Sequence, residues 1–139
     1  MSNSRLRLIQ YGEEARLANT MSRAFFDDPM TRYVMHDVEK PTKINNWMFT
    51  KLIQYCRKWG MVYTDENQTA ASIWLTHGNT TMSPLRIIRS GMWQMPFRLG
   101  WKGFSRFGEI DAAASKAHKK LVPKDHWYLL MLGVDPDLQ

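Results

Sequence analysis

The residues of this sequence that could do chemistry are one cysteine, four histidines and a stretch rich in arginine and aromatic side chains. None of the standard catalytic patterns is present: the sequence contains no H-E-x-x-H, no G-x-S-x-G, no complete phosphate-binding loop and no G-x-G-x-x-G. The histidines lie far apart, at His36, His77, His118 and His126. A metal site would have to be assembled through the fold, and we predict none. Cys56 lies among apolar positions, which favours a buried structural thiol over a reactive nucleophile.

The segment from residue 84 to residue 107 interleaves cations with aromatic rings. The cations are Arg86, Arg89, Arg98, Lys102 and Arg106, and the aromatic residues are Trp93, Phe97, Trp101, Phe104 and Phe107. This pattern is found on helices that lie on anionic membranes and on surfaces that stack on single-stranded nucleic acid. It is also typical of two helices that pack an apolar stripe on a sheet while their arginines face water. We favour the packed helices, and a non-catalytic module that binds nucleic acid or an anionic membrane is the alternative.

Length and composition are those of one globular domain. The 139 residues are 44% hydrophobic and 23% charged, which excludes a wholly disordered chain and a fibrous repeat. The formal net charge of +6 favours anionic partners such as nucleic acid, a membrane surface or a phosphate-bearing cofactor, without choosing among them. The longest apolar run is too short for a membrane helix, and the N-terminus lacks the apolar core of a signal peptide. We therefore predict a cytoplasmic protein with one domain over residues 1–139 and no transmembrane segment.

The first half of the sequence predicts one strand, two helices and a hairpin. A period-two pattern indicates a strand over residues 6–11, and the period then changes to that of a helix, which an Asp-Asp-Pro sequence ends. Apolar residues at helical spacing predict a second helix over 41–60. The strand-like runs 61–64 and 69–75 flank a turn-rich sequence, which is typical of a β-hairpin.

The second half predicts two helices and a final strand. One helical stripe covers residues 85–99, with a break or bend near Gly91 and Pro96, and another covers 110–121. The continuously apolar run 126–134 is typical of a strand that is buried on both faces. The predicted order is β-α-α-β-β-α-α-β, an α/β fold of the layered α+β kind.

The end of the last strand has the most specific signal. Its sequence is Leu132-Gly133-Val134-Asp135-Pro136-Asp137-Leu138-Gln139. This resembles the V-D-P-x-x-Q phrase that ends the central strand of the GNAT-type N-acyltransferases. The Ala-Phe-Phe-Asp-Asp-Pro sequence at 24–29, the His-Trp-Tyr-Leu sequence at 126–129 and the order of elements are also similar to those of bacterial members. The resemblance covers essentially the whole chain, as the N-terminal portion of such a domain.

The resemblance implies a fold, an activity and a cofactor. The fold would be a mixed, mostly antiparallel sheet with helices on both faces. The activity would be transfer of an acetyl or other acyl group from acetyl-CoA or a related acyl-CoA to a small-molecule or peptide amine by direct attack, with no nucleic acid as partner. Backbone groups of Leu132, Gly133 and Val134 would pair with the pantetheine arm. Gln139 would open the Q-x-x-G-x-G/A loop that holds the pyrophosphate at a helix N-terminus.

The acceptor site implied by the resemblance lies between the first two helices and the hairpin. It would be lined by four residues, Phe26, Asp28, Tyr33 and Trp74. Each of these also has a simpler role, as a core residue or as a helix cap.

The same resemblance shows what this chain lacks. The chain ends at the first residue of the Q-x-x-G-x-G/A motif, so we expect a truncated domain whose C-terminal part is missing. Many members have a glutamate base on the last strand, where this chain has Leu129, Leu130 and Met131, so no catalytic residue is assigned. Asp125, His126 and an ordered water are the candidates. An unpaired edge of the last strand would also favour a homodimer.

Overall fold

The chain forms a four-stranded sheet and five α-helices among the residues that the computed structural model describes, which are 5–122 and 124–139. The helices are α1 (Glu14–Ala24), α2 (Pro29–Met35), α3 (Pro41–Trp59), α4 (Pro84–Arg89) and α5 (Met95–Leu121). The strands are β1 (Arg7–Leu8), β2 (Met61–Thr64), β3 (Ala70–Leu75) and β4 (Tyr128–Val134). Short 3₁₀ turns lie at Met92–Gln94 and Pro136–Leu138. The strand order is β1-β2-β3-β4, and each pairing is antiparallel.

One face of this sheet carries the hydrophobic core. Val62 pairs with Ile73, and Ile73 pairs with Met131, so these three side chains lie on the same face. Helices α1 and α3 contact each other extensively and cover this face. Their apolar stripes supply the largest fully buried side chains opposite the sheet, which include Leu17, Met21, Ile53, Tyr55 and Cys56.

Two glycines allow the helices to approach the sheet closely. Gly60 ends α3, and a Cβ atom there would lie 2.3 Å from the carbonyl oxygen of Trp74. On β4, a Cβ atom at Gly133 would lie 2.8 Å from Sδ of Met21 and 3.0 Å from Cε2 of Phe25. All three distances are shorter than a van der Waals contact, so a side chain at either position would push a helix away from the sheet.

The structure confirms the elements that were predicted for the first half of the chain. These are the first strand, the helices α1 and α3, and the hairpin of β2 and β3. Helix α2 was not predicted, because the Asp-Asp-Pro sequence was interpreted only as the end of the preceding helix. The same sequence starts the next helix. The Asp28 carboxylate accepts hydrogen bonds from the backbone amides of Met30 and Thr31, and Pro29 occupies the first helical position.

The second half divides differently from the prediction. The chain does break near Gly91, which has a φ of 82°. Pro96 does not bend a helix, because it lies in the first turn of α5, where a proline is tolerated. Helix α5 is one long element with a kink at Gly100, whose φ is 71° and ψ is 165°. The stripes predicted over 85–99 and 110–121 therefore belong to α4, the 3₁₀ turn and a single kinked helix.

The predicted mostly antiparallel sheet is confirmed, since every strand pairing among the described residues is antiparallel. Helices α1 and α3 cover one face of this sheet, and the parallel pairing and the helices on the second face stay predictions for the complete domain. The prediction for the last strand is wrong. Strand β4 was expected to be buried on both faces, but Leu129, Leu132 and Val134 are exposed. A continuous apolar run shows that both faces of a strand are apolar, and it does not show whether anything covers the second face.

Candidate functional site

The open edge of β4 presents backbone hydrogen-bonding groups. Val134 is paired with Ala70, and the Asp135 amide donates to the carbonyl oxygen of Thr69 at 2.7 Å. In an antiparallel ladder, hydrogen-bonded pairs alternate with pairs that are not hydrogen-bonded to each other. Because Asp135 and Thr69 form a hydrogen-bonded pair, the backbone groups of the adjacent residue Val134 point away from β3. The N–H and C=O groups of Val134, and those of Leu132 two residues earlier, therefore point to the open edge, whereas those of Gly133 point to β3.

The turn that follows β4 is fixed to the end of α1. Arg23 contacts Asp135 at 2.9 Å and Asp137 at 2.7 Å. Asp135 also accepts a hydrogen bond from the Asp137 amide. The Gln139 side chain donates from Nε2 to the carbonyl oxygen of Val134 at 2.8 Å, so it folds back onto the edge of the strand.

The structure therefore brings the four predicted cofactor residues together at the end of β4. Leu132 and Val134 have the backbone orientation that binding along an open edge requires. The Gly133 backbone belongs to the ladder with β3, and its missing side chain is explained by the packing of α1. The cofactor-binding role of these residues stays a prediction.

The four predicted acceptor residues lie in the turn after α1, at and in α2, and on β3. Phe26 is exposed in the turn after α1, and Asp28 caps α2. Tyr33 lies against α5, where its hydroxyl donates to Glu109 at 3.0 Å, and this hydrogen bond raises the pKa of Tyr33 above 10.0. Trp74 lies on the open face of the sheet, near Trp127, and donates from Nε1 to Ser72. Each residue has a local structural role, and their part in substrate binding stays a prediction.

A cluster of titratable side chains lies at the start of β4. Nε2 of His118, in the last turn of α5, is 2.5 Å from Nε2 of His126, and the His118 ring stacks on Tyr128 with centroids 4.2 Å apart. A hydrogen bond between two imidazoles needs one donor and one acceptor nitrogen, so a neutral ring that donates from Nε2 carries its unprotonated nitrogen at Nδ1. Asp125, the other candidate base, is exposed and contacts His77 at 2.9 Å. The sequence analysis considered His126 as a base but did not single out His118. Only a short connection separates α5, which carries His118, from the start of β4.

The basic aromatic segment is partly buried and partly exposed. Met95, Leu99, Phe104 and Phe107 pack against the core, as expected for packed helices. Phe97 and Trp101 are 80% and 78% exposed. Within the described part of the chain, no helix combines the length and apolar character that crossing a bilayer requires.

Cys56 is a structural thiol, and the described histidines form no metal site. Cys56 is fully buried in α3, and burial raises the pKa of its thiol to about 12, which disfavours a reactive thiolate. A search of residues 5–122 and 124–139 finds no group of three or more His, Cys, Asp or Glu side chains placed to hold a metal ion.

Comparison with known proteins relates this chain to an acetyltransferase. It is 30% identical over 132 residues to an uncharacterized N-acetyltransferase of Schizosaccharomyces pombe. The match covers 91% of this chain and 53% of that protein, so the chain spans about half the length of the curated relative. No family model matches the chain. The similarity supports a relationship to N-acetyltransferases. The fold of the described residues is compatible with the α+β class.

Proposed function

We propose that the protein is a GNAT-type N-acetyltransferase, located in the cytoplasm, that transfers an acetyl group from acetyl-CoA to an amine. The observation that carries the proposal is the open edge of β4, where the backbone N–H groups of Leu132 and Val134 are oriented to meet an extended ligand. Similarity to an N-acetyltransferase over 91% of the chain supports an enzyme rather than a basic aromatic binding module.

In this proposal the chain's main task is to orient the reactants. The edge amides of β4 donate hydrogen bonds to carbonyl groups of the acyl-pantetheine arm, and one of them polarises the thioester carbonyl. The amine nitrogen attacks the thioester carbon. A C–N bond forms, the C–S bond breaks, the thiol of CoA leaves and the ammonium proton is lost. Holding both reactants at this edge replaces a bimolecular encounter with a positioned one.

The proposed route for the ammonium proton is through ordered water to His126, with His118 as its positioning residue, because the six residues from His126 to Leu132 span about 20 Å of extended strand. The close Nε2 to Nε2 contact holds the His126 ring next to the start of β4. An unprotonated imidazole nitrogen is a base of the kind that this proton transfer requires. The Leu129, Leu130 and Met131 side chains of β4 offer no carboxylate for this step.

We also propose that these 139 residues form the portion of the catalytic domain that precedes its phosphate-binding loop. The relative is about twice as long as the matched region, and Gln139 has the position at which such a loop would begin. The acetyl-CoA pyrophosphate would then be bound by residues outside this portion.

Amide NMR on the protein expressed from its complete gene tests the binding step. We expect acetyl-CoA to slow the hydrogen exchange of the Leu132 and Val134 amides, because both gain a hydrogen-bond acceptor. The Gly133 amide is the internal control, since it already points to β3 and should change little. If acetyl-CoA leaves all three amides unchanged, the proposed use of this edge is wrong.

Release of free CoA thiol in the presence of an amine panel tests the chemical step. The His126→Gln variant should lower kcat by about 10²–10⁴-fold and remove an ionisation from the pH profile of kcat. His36→Gln is the matched control, because His36 is an exposed histidine that contacts Asp37, which is not a candidate base. Equal activity of the two variants would exclude His126 as the base, and no thiol release with any amine would exclude the transferase.

A further inference from the structure

A second site lies near the β1 edge of the sheet, away from β4. An open cavity of about 380 Å³ lies between the turn after β1, the start of α1, the C-terminal half of α3 and the end of α4. This volume is in the range of small-molecule sites. Strands β1 and β4 are at opposite ends of the strand order, so the cavity is separated from the candidate acetyl-CoA edge by β2 and β3.

The lining of this cavity is strongly basic. Four cations line it, Lys51, Arg57, Lys58 and Arg89, against one acid, Glu14. Glu14 is buried and lies 2.6 Å from Nε of Arg57, while its other oxygen accepts a hydrogen bond from the Gly12 amide. Glu14 therefore neutralises Arg57 and none of the other three cations. Among the ion pairs formed by residues 5–122 and 124–139, none includes Lys51, Lys58 or Arg89.

Aromatic rings hold two of these cations in place. The Arg57 guanidinium lies 5.0 Å from the centre of the Tyr11 ring, and Nζ of Lys58 lies 4.9 Å from that of Trp59. Arg86 contacts the Trp59 ring as well, at 5.5 Å. These cation–π contacts order side chains that would otherwise be flexible.

Lys51 is accommodated by Gly91, which directly follows the lining residues Arg89 and Ser90. Gly91 has a φ of 82°, and a Cβ atom there would lie 3.3 Å from Nζ of Lys51. The ammonium group donates to the side-chain oxygen of Gln54 at 3.4 Å and keeps further donors for a ligand.

We propose that this cavity binds a small ligand through its phosphate or diphosphate group. Such a group is compact and carries several acceptor oxygens, so it can meet two lysine ammonium groups and one arginine guanidinium together. Lys58 and Arg89 are exposed and Lys51 is half-buried, so an anion between them would offset a mutual repulsion that water partly screens, whereas a neutral ligand would leave it in place. The site is independent of the proposed acetyl transfer, because it shares no residue with the β4 edge.

Isothermal titration calorimetry of the 139-residue chain with inorganic pyrophosphate, at constant ionic strength, tests this site. Lys51→Gln and Arg89→Gln should each weaken binding about tenfold or more, because each removes a charged hydrogen-bond donor. Lys119→Gln is the matched control: it removes the same charge from an exposed position at the end of α5, outside this lining. Titration with inorganic phosphate shows whether the site binds a single phosphate as well as it binds a diphosphate. Titration with citrate shows whether the site binds any polyanion.

Selective loss in the two cavity variants, with unchanged binding by Lys119→Gln, would support the proposal. Equal weakening in all three variants would show that only net charge matters, and would overturn it. The absence of pyrophosphate and phosphate binding by the unaltered chain, or equally strong citrate binding, would also overturn it. Unfolding midpoints of the variants control for folding. Arg89 is exposed, so its variant keeps the test valid if Lys51→Gln does not fold.

Discussion

The two faces of the sheet carry similar apolar residues but differ in how much of these side chains is exposed. On the covered face, Ile73 and Val62 are 0% and 1% exposed beneath α1 and α3. On the other face, Leu132 is 61% exposed, and Leu129 and Val134 are exposed beside it. The residue types are equally apolar, so side-chain chemistry does not explain the difference. What differs is the presence of α1 and α3 on one face, and the burial of apolar side chains beneath them stabilises the fold.

The largest effect should come from truncating one side chain on each face. Ile73→Ala should lower the free energy of unfolding by about 2–5 kcal/mol, because it leaves a cavity beneath two helices. Leu132→Ala, one strand away on the open face, should change it by less than about 0.5 kcal/mol. Urea unfolding of both variants measures the difference. Comparable losses would mean that the open face is covered in solution, for instance by a second copy of the chain.

A smaller effect should come from adding one methyl group at each of two glycines. Gly133→Ala should cost about 1–3 kcal/mol, because the new Cβ atom would overlap Met21 and Phe25 of the covered face. Gly108→Ala is the control: an added Cβ atom in α5 meets nothing within 4 Å, and alanine should stabilise the helix by about 0.5–1 kcal/mol. Thermal and urea unfolding measure both, and a neutral Gly133→Ala would contradict the close approach of α1 to β4.

The smallest effect concerns pH at the junction of β1 with α1. The hydrogen bonds that Arg7 donates to Glu13, with a further one from the Gln10 amide, lower the pKa of Glu13 from 4.5 to about 2. Since the pKa is depressed in the folded state, the stabilisation is fully present above pH 4.5 and is lost as the pH falls toward 2. Unfolding free energies measured between pH 6 and pH 2 should show this decline.

Arg7→Gln is the control for this titration. It removes the main cause of the shift, so the decline that Glu13 contributes between pH 4.5 and pH 2 should become smaller. Because the pair is partly exposed, high salt should also weaken the effect. An identical pH dependence in the variant would show that Arg7 does not stabilise the charged form of Glu13.

Local sequence patterns predicted most elements but not how the elements meet. The periodicity of α1, α3 and the hairpin was sufficient because it depends on residues a few positions apart. Asp28 was difficult because one Asp-Pro sequence both ends a helix and starts the next. The contact between His118 and His126 depends on how the end of α5 meets the start of β4, and no spacing rule describes that contact.

The sequence by itself determined the local elements, the apolar character of both faces of β4 and the phrase from Val134 to Gln139 that resembles an acyltransferase. Only the tertiary structure decided which face of the sheet is covered, which β4 amides point to the open edge and where the basic cavity forms. The physical reason is distance along the chain. Tyr11, Lys51 and Arg89 belong to three separate segments, and their charges and rings act together only after packing of the helices brings them within a few ångströms.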